Sequence, residues 1–155
     1  MFHTRRYKPI FPEKYVGDPT SIYLRSSWET RFALWCDKNP AVVSWKSEEV
    51  IVPYRSPIDK RIHRYFVDFS VTIKDKETNT LKTYLVEIKP YSQTIQPNYP
   101  GSQTRRYLKE CHDYIVNSAK WKAAKEYALD RNQKFIILTE KDLGIKTSNA
   151  NKESV

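Results

Sequence analysis

The sequence predicts an α/β domain, a mixed sheet flanked by helices, with its elements in the order αβββαβ. Three observations predict it. A helical repeat of large apolar residues begins at Ser26. Two strand-like alternating runs lie on either side of a polar turn between Arg64 and Pro90. A long helical stretch from Arg105 then leads into the short apolar run Lys134 to Thr139, the strand–helix–strand crossover that gives a sheet a parallel neighbour. The 155 residues suffice for one domain with a real core. They divide into a basic arm (1–19), the remainder of a single domain running to residue 143, and a polar, mobile tail (144–155).

Taken in order, Met1 to Pro19 is punctuated by Pro9, Pro12 and Pro19 and cannot be a regular helix throughout. It is expected to lie on the domain as an arm or to contact a partner. In SSWETRFALWCDKNP, Trp28, Phe32 and Trp35 define the expected buried face, and Asn39-Pro40 ends the helix. Val42 to Tyr54 reads as one or two strands, and Arg55 to Ile62 as a turn. The next strand spans 63 to 74, with Tyr65, Val67, Phe69, Val71 and Ile73 on one face and Phe66, Asp68, Ser70 and Thr72 on the other. After the turn Lys74 to Thr80, a strand over 81 to 89 puts Tyr84, Val86 and Ile88 on one face and Leu85, Glu87 and Lys89 opposite. The three strands make an antiparallel meander. Pro90 to Thr104 is a long polar loop leaving from Lys89, a place where such loops are often functional. The helical segment 105 to 131 carries two apolar stripes, Leu108, Cys111 and Ile115, then Trp121, Ala124 and Ala128. A break near Asn117, which would cap the second half, is expected between them.

Composition narrows the partner. Lys and Arg number 27 against 18 Asp and Glu, a formal charge of +9 that favours a polyanion, nucleic acid first. Neither an RNP nor a KH signature is present, which disfavours an RNA-binding module. Cys36 and Cys111 have no zinc spacing and read as reduced core thiols. No apolar run has membrane-spanning length and the N-terminus has no signal-peptide core, so a cytoplasmic protein without a membrane partner is expected. His63 reads as a strand-edge residue.

The chemistry concentrates in three residues. Glu87 and Lys89 share a strand face about 6.6 Å apart at roughly 3.3 Å per residue, and Asp68 can sit beside them on the neighbouring strand. Two carboxylates that close must share a proton or bind a cation. Hard oxygen ligands with open positions suit Mg²⁺, which can polarise a phosphoryl oxygen and generate a hydroxide nucleophile. The lysine beside them could orient that water or hold phosphate charge. Glu29 has two readings: the fourth residue of a Ser26-x-x-Glu29 capping box, or a further acid of the site.

Asp68 followed by Glu87-Ile88-Lys89 resembles the PD-(D/E)XK nuclease superfamily, in which an Asp on one strand precedes an acid-x-Lys on the next. Glu87-Ile88-Lys89 is the only acid-x-Lys triplet in the chain, and Val67 stands where the motif's proline would be. Longer segments are similar to nucleases of tailed bacteriophages that act in head morphogenesis, and to transposon-end endonucleases of the TnsA type. They are KYVGDPT (14–20), RSSWE (25–29), SEEVIVPYRSP (47–57), RYFVDF (64–69), YLVEIKP (84–90) and NSAKWKAA (117–124). The resemblance implies a PD-(D/E)XK core and a Mg²⁺-dependent DNA endo- and exonuclease, with Mn²⁺ as a substitute. Asp68, Glu87 and Lys89 would be catalytic and Glu29 a fourth member, with Asp68, Glu87 and Glu29 as metal ligands. It further implies duplex DNA and phage head or portal-neck proteins as partners, and a place in the host cytoplasm during virion assembly or on the virion. The alternative is a structural head or neck protein that keeps the fold for DNA or capsid contact; the intact Asp68, Glu87 and Lys89 favour the enzyme. Arg105, Arg106 and Lys120 are the expected DNA contacts, on a helix whose exposed face also carries Lys109, Lys122 and Lys125.

Overall fold

The computed structural model describes residues 4–145; the tail predicted over 144–155 therefore lies almost wholly outside the described residues. A four-stranded mixed sheet forms the centre. Its strands are β3 (Val42–Ser47), β6 (Phe69–Lys74), β7 (Leu81–Ile88) and β8 (Lys134–Leu138), in that spatial order. The first three pair antiparallel and β8 runs parallel to β7. This is the predicted meander closed by a crossover. Helix α1 (Ser27–Lys38) covers one face of the sheet, and the 26-residue helix α2 (Arg105–Asp130) the other. Two small pairs stand outside it: β1 (Arg5–Arg6) with β2 (Tyr23–Leu24), and β4 (Ile51–Arg55) with β5 (Ile62–Phe66).

The predicted strand over 63 to 74 is in fact two. It breaks at Val67 and Asp68, with β5 turning out to pair with β4 and β6 entering the sheet between β3 and β7. The break also overturns the single apolar face read from the sequence. Tyr65 and Val67 pack with Trp121, Ala124 and Ala128 of α2, whereas Phe69 and Val71 pack with Phe32 and Cys36 of α1. Both faces of the sheet are covered, so apolar residues are satisfied on either side and alternation alone does not report a change of side.

Two further expectations are corrected. In α1 the buried residues are Phe32, Ala33, Cys36 and Asp37; Trp28 is half-buried, and Trp35 is 45% exposed at the rim of an apolar groove beside Leu138 and Leu143. Helix α2 runs unbroken through Asn117, because the small interior penalty of one Asn is outweighed by the packing of Trp121, Ala124 and Ala128. Its first stripe does not reach the core: Leu108 is 51% and Ile115 47% exposed, since the N-terminal half of the helix extends past the sheet.

The arm lies on the domain. Buried Asp37, near the end of α1, accepts from the Tyr7 hydroxyl (2.8 Å) and from the backbone N–H groups of Ile10 (2.6 Å) and Phe11 (2.9 Å). Lys14 Nζ donates to the carbonyls of Cys36, Asp37 and Asn39 at 2.7–2.8 Å, capping the negative end of the helix. Tyr15, Ile22 and Leu24 complete the core on this side. A short helix the sequence reading lacked, α3 (Glu140–Leu143), opens on a Thr139/Asp142 capping box and ends at Gly144 in the left-handed region.

Candidate active site

The site forms where the chain bends. In the antiparallel register Phe69 lies opposite Val86, so one step further places Asp68 opposite Glu87 at the end of β7. Cross-strand neighbours bring their side chains to about 5 Å. Asp68 is tied down twice. Its Oδ2 accepts from the Ile88 N–H at 2.8 Å, and its carbonyl accepts from the Glu48 N–H at 3.0 Å. Glu87 is 6% exposed, and its Oε2 accepts from the hydroxyl of Tyr65 at 2.5 Å. Its Oε1 lies 3.7 Å from Lys89 Nζ, which completes the trio at the strand end. Asp68, Glu87 and Lys89 are thus brought together as predicted.

Burial raises the pKa of Asp68 well above the ordinary carboxylate range; the charges of Glu87 and Glu29 push the same way, opposed by the Ile88 N–H and by Lys89. Glu29 therefore lies within electrostatic reach of Asp68. Its own carboxyl is raised by burial and by Glu48, and lowered by its hydrogen bond from Arg25. Only half of the predicted capping box forms. Ser26 Oγ accepts from the Glu29 N–H (3.2 Å), but the Glu29 carboxylate turns to the N–H of Arg25 (2.6 Å) instead of that of Ser26. The carboxylate thus stays partly buried beside the site instead of closing over the helix start.

Three members escaped the sequence reading. Tyr65 orients Glu87; burial and the adjacent Glu87 raise its hydroxyl pKa, so it remains a donor. Glu48 sits at φ 54°, with its carboxylate 3.2 Å from the Arg25 guanidinium. Arg25 thereby holds Glu29 through its backbone and Glu48 through its side chain. Alternation in the sequence puts Tyr65 with Phe69, facing away from Asp68; the bend at Val67 and Asp68 reverses that. The Glu48-Glu49 pair preceding an apolar strand was the only hint of Glu48.

Lys120 lies on the Glu87 side of the site. It is half-buried, with Nζ 5.7 Å from the ring centre of Tyr65 and 5.9 Å from that of Tyr54. Arg105 and Arg106 lie fifteen and fourteen residues nearer the start of α2, roughly 21–22 Å along its axis at 1.5 Å per residue. Arg106 is exposed and paired with Glu110 at 3.0 Å. His63 sits on β5 against Asp59 at 2.7 Å, apart from the site as expected. Cys36 and Cys111 are free thiols; Cys36 is in the core as expected, whereas Cys111, on the first stripe of α2, is only half-buried.

Whether this donor set fits a metal ion can be judged from its chemistry. Among the described residues no three His, Cys, Asp or Glu side chains converge into a cage. Two opposed carboxylates, one with its pKa raised by burial and by the other's charge, fit a hard divalent ion that keeps most of its waters, and not an all-protein zinc site.

An αβββαβ domain with an acid at the start of one central strand and an acid-x-Lys at the end of the next is a restriction-endonuclease-like nuclease domain. The chain belongs to the TnsA-like endonuclease N-terminal family, which it matches over residues 39–140. That span contains Asp68, Glu87 and Lys89 and stops short of Glu29. The chain is also 37% identical over 147 residues to the head completion nuclease of Enterobacteria phage T4, covering 92% of this chain and 95% of that protein. No solved structure matches.

Proposed function

We propose that the chain is a nuclease of phage head completion that hydrolyses DNA by a divalent-metal mechanism, as both endo- and exonuclease. The observation that carries the mechanism is Asp68 opposite buried Glu87, with Lys89 Nζ 3.7 Å from Glu87. Asp68 and Glu87 hold the ion, Mg²⁺ or in its place Mn²⁺, with Glu29 as a further acidic member. The bound ion supplies a polarised phosphoryl oxygen and a water of lowered pKa. Lys89, partly exposed at the strand end, holds the scissile phosphate's charge and orients the attacking water. The Ile88 N–H and Tyr65 hydroxyl fix the two carboxylates, so that little reorganisation is needed. Lys120, Arg105 and Arg106 contact duplex DNA along α2. The exposed Arg106–Glu110 pair is worth little and exchanges readily for a phosphate. Head or portal-neck proteins are the partners during assembly in the host cell, and none of the described helices is long and apolar enough to cross a membrane.

The test is a plasmid-cleavage assay. Nicking and linearisation are expected with Mg²⁺ or Mn²⁺ and not with EDTA. Glu87→Gln should abolish them while retaining DNA affinity, because the basic surfaces are untouched. Undiminished cleavage in EDTA, or by Glu87→Gln, would remove the metal mechanism from this site.

A further inference from the structure

The hairpin β4–β5 lies outside the central sheet and has two unlike faces. Val52, Tyr54 and Tyr65 point inward, toward α2. The register groups Ile51, Pro53, Arg55, Ile62, Arg64 and Phe66 on the other face, and all six are exposed. Here Ile62 is 60% and Phe66 43% exposed, and the guanidinium of Arg64 lies 5.6 Å from the centre of the Phe66 ring. Between residues 51 and 66 the chain has Arg55, Lys60, Arg61 and Arg64 against the single acid Asp59. Asp59 is occupied by His63 at 2.7 Å, and among the described residues none of the four basic side chains is in an ion pair. By contrast, Arg106 and Lys109 of α2 are paired with Glu110 and Asp113 at 3.0 and 3.3 Å. Arg55 donates to the Lys60 carbonyl at 2.6 Å, which braces the turn and leaves its charge uncompensated.

The geometry points to the outer face of this hairpin as a DNA-gripping surface that seats the duplex backbone beside the cleavage site. Two features select DNA as the occupant. The site itself is acidic: among the described residues Glu29, Glu48, Asp68 and Glu87 stand against Arg25 and Lys89, with Lys120 further off beside Tyr65, so flanking cations are needed to offset the repulsion of a polyanion. The uncompensated cation closest in sequence to Asp68 is Arg64 of the hairpin. Strand β5 leads into the bend, so at 3.3 Å per residue Arg64 stands at most about 13 Å from Asp68, the span of roughly four phosphates along the axis of one strand. Arginine on an aromatic face, flanked by exposed aliphatics, suits a phosphate with its adjoining sugar and carries no base-reading geometry. Binding there is therefore insensitive to sequence.

The inference rests on DNA being the substrate, and the experiment separates the two. Binding of a labelled duplex is followed by anisotropy in EDTA across a salt series, for the wild-type chain and for Arg55→Ala/Arg64→Ala. Far-ultraviolet circular dichroism confirms that the variant is folded; the spectrum should hold, with a small fall in melting temperature from loss of the Arg55 bond to the Lys60 carbonyl. Loss of two phosphate contacts predicts a salt slope smaller by about 1.8 in log K per log salt. It also predicts affinity lower by on the order of tenfold per contact at 0.1 M salt. The loss should be the same for unrelated duplex sequences. Wild-type affinity and slope in the double variant overturn the hairpin assignment. No binding by the wild-type chain overturns the substrate reading instead. A loss confined to one duplex sequence would make the hairpin a base reader and overturn backbone gripping.

Discussion

Removing the Tyr65 hydroxyl tests how far the site depends on a residue that touches no substrate. Tyr65→Phe keeps the ring in its cluster with Val52, Tyr54, Val67 and Trp121, so packing is conserved and no cavity opens. It removes the 2.5 Å hydrogen bond to Glu87 Oε2. A hydrogen bond to a charged group contributes about 1.5–3 kcal/mol, and a buried carboxylate left without its donor loses that much. Glu87 can recover part by drawing closer to Lys89, which already stands 3.7 Å from Oε1. That relief turns the carboxylate away from Asp68 and takes Lys89 from the phosphate.

The expected result is a modest loss of stability together with a loss of about 10–100-fold in metal affinity or turnover, the usual effect of removing a partner that orients a metal ligand. The assay is cleavage rate against Mg²⁺ concentration, paired with the melting temperature in Ca²⁺ against EDTA as a reading of cation binding independent of turnover. Half-saturation by Mg²⁺ should move upward and the Ca²⁺-induced stabilisation should shrink. If the metal-free melting temperature falls while Mg²⁺ half-saturation and maximal rate stay within twofold of wild type, Tyr65 is a packing residue and the reasoning fails.

Two substitutions test the other carboxylates. Glu29→Gln retains an oxygen able to accept from the Arg25 N–H, and the Ser26 cap is made to a backbone group, so stability should hold while cleavage falls by about tenfold or more; full activity would leave Glu29 a cap alone. Asp68 has a folded pKa raised above its unfolded value, so its favourable contribution is complete below the unfolded pKa, near 4, and is lost as pH rises through the folded one. Asp68→Asn, which keeps an acceptor for the Ile88 N–H, should therefore abolish cleavage and raise the metal-free melting temperature at neutral pH. That gain should vanish toward pH 4; a gain independent of pH, or none, would contradict the burial of a charge at this position.

The meander, the crossover strand and the Asp68/Glu87/Lys89 trio were legible because each rests on local pattern: alternation within a run, and a motif on two runs joined by one turn. What was hidden is where a strand changes partner. Tyr65 to Ile73 alternates without interruption, yet Tyr65 and Phe69 belong to opposite faces, since Asp68 sits in a bend that the apolar pattern cannot mark. Losing the bend meant losing Tyr65 from the candidate site and the β4–β5 hairpin as a separate element outside the sheet. Trp35 and Leu108 failed for a different reason: helical spacing predicts a face and does not predict how far the neighbouring sheet extends beneath it. Asp37, a buried acid on α1, was unreadable because its partners are backbone groups of an arm some 26 to 30 residues away.

The bend also explains how several acids can be held close to one another without the fold dispersing them. Each of the three carboxylates at the centre has one oxygen fixed by a donor belonging to the scaffold: Asp68 Oδ2 by the Ile88 N–H, Glu87 Oε2 by Tyr65, and Glu29 Oε2 by the Arg25 N–H. Among the described residues, no hydrogen bond reaches Asp68 Oδ1 or Glu29 Oε1, and Glu87 Oε1 has only Lys89 nearby at 3.7 Å. Carboxylates placed for stability alone would use both oxygens, or be neutralised by a cation apiece. Glu48 adds to the same account. A non-glycine residue at φ 54° costs on the order of 1–3 kcal/mol, and it persists here because its N–H holds the Asp68 carbonyl while Arg25 holds its side chain. One oxygen anchored and one left open on each of these acids is what the proposed cation-binding role of the site requires. That favours turnover over a fold retained only for contact.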